Sequence, residues 1–226
     1  GGFAHAARNI GPIMQIARDM EQACPDAWFV NFTNPMVRIC DAVNRHSNIK
    51  AVGLCHQIYA GYGMVGVALA NDLGIEVPEG LTGMHASVDQ HPLQHRVREQ
   101  IVPLVDIRAA GLNHFTWILS INDRRTGEDL YPLFRKRFFE LKPEFEPLTR
   151  DVFSAFGLFP IPGDTHLCEY LPWMSNPDTK PWDKYNIRLY DWELFANVRE
   201  FELHRMNEMA NGNATIQLTL PRNACT

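Results

Sequence analysis

Apolar residues recur at helical spacing through the first stretch of the chain. Ile10, Ile13, Met14, Ala17 and Met20 fall on one side, while Arg18, Asp19 and Glu21 face elsewhere. The pattern predicts a helix over residues 3–23, stopped by Cys24-Pro25-Asp26. Ala27 to Phe32 is a short, nearly unbroken apolar run, as a strand buried on both faces would be, and Thr33-Asn34-Pro35 then turns the chain. A helix is predicted over Met36–Arg45, a second apolar strand over Lys50–Cys55 and a further helix over Gln57–Leu73. Helices and strands alternating at these spacings predict an α/β fold with a parallel sheet covered on both faces. In such sheets ligands bind beyond the carboxyl ends of the strands. Asn31 to Pro35 and Cys55-His56 both fall there.

The pattern then changes. Residues 74–100 are polar and hold Gly80, Gly83, His85, His91 and His95, which predicts an inserted surface segment with solvated histidines. Ile101 to Asn122 alternates through Val102, Val105, Leu112, Phe115, Trp117, Leu119 and Ile121, predicting a long strand or a hairpin. Helices are expected at Leu130–Leu141, Thr149–Phe156 and Tyr190–Asn211, with a loop at Pro160, Pro162 and Gly163. The second half therefore reads as an α+β lobe joined to the first without a Pro/Gly/Ser-rich linker.

Composition narrows the function classes. At 226 residues the chain can hold one large core or two small ones. A formal net charge of -5 gives no electrostatic case for nucleic acid or an anionic membrane as partner. No apolar run is long enough to span a bilayer, and the first residues hold no apolar signal core. The five cysteines, at positions 24, 40, 55, 168 and 225, show no paired spacing, so a reduced, cytoplasmic compartment is expected.

Four stretches carry possible chemistry. Gly61-Tyr62-Gly63-Met64-Val65-Gly66 matches G-x-G-x-x-G, but no strand leads directly into it and no acidic residue ends a following strand. These glycines are expected to serve close helix packing. Cys55-His56 sits where a strand gives way to a helix, whose N-terminus would stabilise a thiolate; alone it also reads as a buried structural cysteine. His114, in Gly111-Leu112-Asn113-His114-Phe115, is expected in an apolar strand, either as a satisfied core residue or, with Cys55, as half of an open metal site. Asp164, His166 and Glu169 lie among aromatics in the segment Gly163 to Trp173, either as acid/base groups or as structural ion pairs.

Taken in order, five stretches resemble glycoside hydrolase family 4, the NAD- and manganese-dependent glycosidases. They are Ala7-Arg8-Asn9-Ile10, Asn31-Phe32-Thr33-Asn34-Pro35, Val52-Gly53-Leu54-Cys55-His56, Gly111-Leu112-Asn113-His114 and Gly163 to Trp173. The Asn-Pro stretch is also similar to that of lactate and malate dehydrogenases. A plain 2-hydroxy acid dehydrogenase, needing no metal, is therefore the rival reading, with an inactive fragment as the second.

The resemblance implies that residues 1–75 form the C-terminal half of a Rossmann-like dinucleotide-binding domain and residues 76–226 an incomplete α+β substrate and metal domain. Relative to the family, the chain is expected to be a fragment lacking the N-terminal Gly-rich loop and the C-terminal end.

The implied cofactors are NAD and Mn²⁺, although ligand softness alone would select zinc or iron for a thiolate site. By resemblance Cys55 and His114 are the metal ligands, Asn31 lies at the cofactor, and Asn34 and His166 contact substrate. Asp164 would be the base at sugar C2, with Tyr170 and His166 as alternates, and His56 the acid at the leaving oxygen. The reaction implied is oxidation at C3, elimination across C2 and C1, water addition and return of the hydride, an exception to two-carboxylate glycoside hydrolysis. His56, where phospho-sugar members carry Asp, is similar to members acting on non-phosphorylated α-glycosides or α-galacturonides. A small carbohydrate is the implied partner, and a homo-oligomer, dimer or tetramer, the implied assembly.

Overall fold

The computed structural model describes residues 2–84, 90–187 and 192–213. Helix α1 (Gly2–Ala23) leads into strand β1 (Trp28–Asn31), helix α2 (Met36–His46) and strand β2 (Lys50–Gly53). The two strands pair in parallel, Trp28 opposite Lys50 and Asn31 opposite Gly53, so their carboxyl ends lie side by side. Met14, Ala17, Val43 and Ile49 are the buried centre that α1 and α2 build against the strands. Trp28, Val30, Phe32, Val52 and Leu54 are exposed apolar residues of the same two segments.

Helices α3 (Ile58–Ala68) and α4 (Ala70–Leu73) follow, then α5 (Gln90–Ile101). Helix α5 overturns the expectation of a surface insert: Val97 and Ile101 are fully buried in the largest core cluster, beside Met64, Val65 and Leu69 of the α3 region. Its buried face is half polar. Gln94 is buried and donates to the Gly83 carbonyl at 3.1 Å, and Arg98 donates to Gln94, so the apolar spacing is diluted. His85 lies outside the described residues, as does the side chain of His91; His95 meets Glu99 on the helix surface.

The glycines of α3 serve this contact. A Cβ on Gly66 would come within 2.7 Å of Val97 Cγ1, and one on Gly63 within 2.6 Å of Met84 Sδ. At Gly66 the approach of α3 to α5 leaves no room for a Cβ, so that glycine of the G-x-G-x-x-G pattern serves packing.

Strands β3 (Val105–Leu112) and β4 (Phe115–Asp123) form an antiparallel hairpin, and β5 (Phe159–Pro160) adds a short third strand to β4. Helices α6 (Tyr131–Glu140) and α7 (Pro147–Phe156) cover the hairpin. Phe134, Phe138, Phe153 and Phe159 are fully buried there, Phe134 and Phe138 each meeting Phe159 edge-on at 4.9 Å between ring centroids. Full burial of each ring contributes about 1.5–3 kcal/mol. Helices α8 (Gly163–Tyr170) and α9 (Trp192–Ala210) complete the chain's order. Segment 163–170, expected to begin as loop, is helical directly after Pro162. The fold is α/β: a parallel pair with helices, and an antiparallel three-stranded sheet.

One position fixes the hairpin tip. Gly111 has φ +146°, and a Cβ there would meet the Phe115 carbonyl oxygen and lie 2.8 Å from Thr116 Cα, both rigid backbone. Gly111→Ala is therefore expected to destabilise the protein by about 2–4 kcal/mol, since strain at a left-handed position adds to a clash that cannot relax. Urea unfolding midpoints at unchanged m-value measure this.

Candidate active site

Two turns meet at the site. The first runs from β2 into α3 and carries Cys55, His56 and Gln57. The second is the two-residue tip of the β3–β4 hairpin, Asn113 and His114, since Leu112 pairs with Phe115. His114 is thus at a hairpin tip and not within a strand. The tip leaves the ring partly buried, within reach of the first turn.

The Cys55 Sγ lies 3.1 Å from His114 Nε2, although 59 positions separate the two residues. Burial alone would push the Cys55 thiol up. Hydrogen bonds from His114, the Gln57 backbone and the Asn113 side chain outweigh it and bring the thiol below its ordinary range. The bond to Cys55 raises His114 against the opposing effect of its own partial burial. The pair favours a thiolate, which is the ligand form of cysteine.

The spacing fits a shared cation. Metal–sulfur and metal–nitrogen bonds of about 2.3 Å and 2.05 Å at a right angle put their ends about 3.1 Å apart. A tetrahedral angle would need about 3.6 Å, so the observed separation is within a few tenths of an ångström of what two ligands of one ion require. Among the described residues there is no group of three or more His, Cys, Asp or Glu side chains arranged to hold a metal. Two side chains of this kind could hold an ion only with further positions filled by oxygen from water or substrate.

Helix α8 roofs the hairpin tip with its exposed face, and the turns of that face decide which predicted residues belong to the site. His166, Glu169 and Tyr170 are exposed, whereas Asp164, Leu167 and Cys168 are buried. The His166 ring stacks on His114 at 4.9 Å between centroids and 15° between planes, and its Nδ1 lies 2.9 Å from Glu169 Oε2. Tyr170 is stacked on Phe115, and its hydroxyl accepts the His114 N–H at 3.2 Å and donates to the Asn113 carbonyl at 3.4 Å. His166 and Tyr170 are therefore brought to the Cys55–His114 pair.

Asp164 is not on that face. Its Oδ1 accepts the Thr149 N–H at 2.7 Å and its Oδ2 the Leu148 N–H at 3.0 Å, which caps the start of α7. Buried Glu146 completes the arrangement: one oxygen accepts the Asp164 N–H at 2.7 Å and the other the Met84 N–H at 2.6 Å. Burial, then the Asp164 charge, push Glu146 up to about 8. Burial also raises Asp164 against its amide bonds. The expectation of Asp164 as the base at sugar C2 thus meets a carboxylate already engaged by two helix amides. Glu146, which carries no sequence signal beyond preceding Pro147, was missed.

The strand-end residues hold the chain in place. Asn31 is buried, its side chain bonding the Thr33 carbonyl at 2.9 Å and the Thr33 N–H at 3.1 Å, so it shapes the turn expected at the cofactor. Asn34 is exposed; its carbonyl accepts from Asn9 at 3.1 Å, tying α1 to the turn. His56 is exposed, and its carbonyl accepts the Tyr59 N–H at 2.9 Å as α3 begins.

Gln57, in contrast, is buried between the two turns. Its Oε1 accepts the Thr116 hydroxyl at 2.9 Å, while its Nε2 is buried with no acceptor. A buried donor left unpaired costs about 1–3 kcal/mol.

Comparison with known proteins identifies the family. Residues 1–70 match family 4 glycosyl hydrolase, and residues 109–219 match the family 4 glycosyl hydrolase C-terminal domain. An alpha-galactosidase of Bacillus subtilis is 32% identical over 175 residues, 76% of this chain and 33% of the relative. An alpha-galacturonidase of Thermoanaerobacter italicus is 26% identical over 239 residues, 96% of this chain and 46% of the relative.

Two solved structures share the fold. Bacillus subtilis lplD, described as a glucosidase, has TM-score 0.67 and 24% identity over 94% of this chain and 46% of its own. A 6-phospho-alpha-glucosidase from gut microorganisms, in complex with NAD and Mn²⁺, has TM-score 0.55 and 19% identity over 95% and 46%. The chain thus spans between a third and a half of the length of these relatives. With both matched regions together covering most of its residues, the chain belongs to family 4 of the glycosyl hydrolases.

Proposed function

We propose that this chain carries the catalytic part of an NAD- and divalent-metal-dependent glycosidase that hydrolyses a non-phosphorylated α-glycoside or α-galacturonide. The observation that carries the reading is the 3.1 Å meeting of Cys55 and His114 beneath the open face of α8. Cys55 and His114 would hold the ion, and the turn shaped by Asn31 would lie against the nicotinamide. When bound, the two groups supply reversible removal of hydride at the sugar's C3 and Lewis-acid polarisation of its neighbouring oxygens.

The remaining work falls to side chains around the pair. Tyr170 takes the role of base at C2 in preference to Asp164. Tyr170 is exposed beside the Cys55–His114 pair, whereas Asp164 is buried with both oxygens engaged at α7. His166 is the alternate base and a substrate contact. His56 donates the proton to the leaving oxygen at C1, and Asn34 contacts sugar hydroxyls at the strand ends.

The names of the galactosidase and galacturonidase relatives support an unphosphorylated sugar, and the NAD- and Mn²⁺-bound fold neighbour supports the cofactor pair. Among the described residues no helix is long and apolar enough to cross a membrane, and Cys24, Cys40, Cys55 and Cys168 are free thiols. The free thiols support a cytoplasmic setting; the homo-oligomer remains part of the reading through the family.

Elimination has a label-based test. A substrate deuterated at C2 should lose its label to solvent during turnover, with no net NADH. Retention of the deuterium would rule out proton abstraction at C2. Retention together with accumulating NADH would point to a plain dehydrogenase.

A further inference from the structure

We infer that Gln57 and Thr116 are positioning residues, bracing the thiolate turn against the imidazole turn so that Cys55 and His114 converge on one cation. The inference rests on the reading of those two residues as the metal ligands. The ligands come from segments far apart in sequence, and neither turn alone fixes their separation. Gln57 is two residues after Cys55 and Thr116 two residues after His114, and the 2.9 Å bond between their side chains crosses from one turn to the other.

Gln57 touches the site at a further point, since its backbone bonds the Cys55 sulfur. Thr116 is held in turn by the residue after β5, its carbonyl accepting the Ile161 N–H at 2.9 Å. The brace is therefore anchored to α3 on one side and to the sheet on the other. Its Nε2 lies buried without an acceptor, so packing stability alone does not account for an amide here. Groups that orient metal ligands in this way typically govern affinity by about 10–100-fold.

The test is Mn²⁺ affinity by titration calorimetry, with cobalt(II) substitution to read the thiolate–metal charge-transfer band, in Gln57→Met, Thr116→Val and Thr116→Ser. Gln57→Met fills a similar volume and removes the unpaired donor; Thr116→Val removes only the hydroxyl. Each is expected to weaken Mn²⁺ binding about tenfold and to shift or broaden the cobalt–sulfur band, with melting temperature unchanged or higher. The double variant should lose no more than either single one, and Thr116→Ser should restore affinity. Parental affinity and an unchanged band in both Gln57→Met and Thr116→Val, with binding lost in Cys55→Ser, would overturn the brace and leave the ligand assignment standing. Parental affinity in Cys55→Ser would remove the ligand assignment itself, and the brace with it.

Discussion

Cys55→Ser should leave the protein folded, reduce affinity for divalent manganese more than about 100-fold, beyond the usual effect of outer groups, and lower turnover about a thousandfold. Exchange of one sulfur for oxygen at a half-buried turn removes little packing, so circular dichroism and the melting temperature should hold. The loss falls on chemistry. Lewis-acid stabilisation of the developing charge is worth several kcal/mol, and each 1.4 kcal/mol is about tenfold in rate. His114→Ala should behave alike, with one difference. The ring that stacks on His166 disappears as well, so substrate affinity should fall along with metal affinity.

Asp164→Ala is expected to do the reverse: a stability loss of about 2–4 kcal/mol with turnover of the folded protein changed less than about tenfold. Two buried amides at the start of α7 lose their acceptor, and the partial relief of Glu146 repulsion offsets only part of that. A thousandfold loss of turnover at unchanged stability would restore Asp164 as the base.

The same pair sets a pH dependence. Glu146 is raised to about 8 in the folded protein, above its unfolded value, so the native state holds a proton that the unfolded chain releases. Its contribution is complete below the unfolded value and is lost as pH rises toward 8, so melting temperatures should fall between pH 5 and 8. In Asp164→Ala the neighbouring charge is gone and the fall should be shallower. An unchanged slope would show that Asp164 does not act on Glu146.

Much of the architecture was legible because short apolar runs bounded by turn residues mark strands, although the expected burial on both faces is not observed: Trp28, Val30 and Val52 are exposed. β1 and β2 were visible for that reason, as was the placement of Asn34 and Cys55 beyond their ends. α5 was hidden because Gln90, Gln94 and Arg98 share its inward side with Val97 and Ile101, which dilutes the apolar spacing.

The hairpin tip at Asn113-His114 was missed because apolar alternation continues on both sides of it. The only sign was Gly111, whose positive φ is what permits the close turn. Within Gly163 to Trp173 the acid and base residues were recognisable by type, but choosing among them needed the helical phase. With 163–170 as a helix, positions 166, 169 and 170 share one face and 164, 167 and 168 the other. The Gln57–Thr116 bond joins segments whose meeting no local pattern encodes.

Everything rests on Cys55 and His114 binding one ion. Crystals grown with Mn²⁺, measured at the manganese absorption edge, test it most directly. A single anomalous peak is expected within bonding distance of both Cys55 Sγ and His114 Nε2, with oxygen atoms at the remaining positions. A peak elsewhere, or the two side chains bonded to each other with no peak beside them at saturating Mn²⁺, would contradict it.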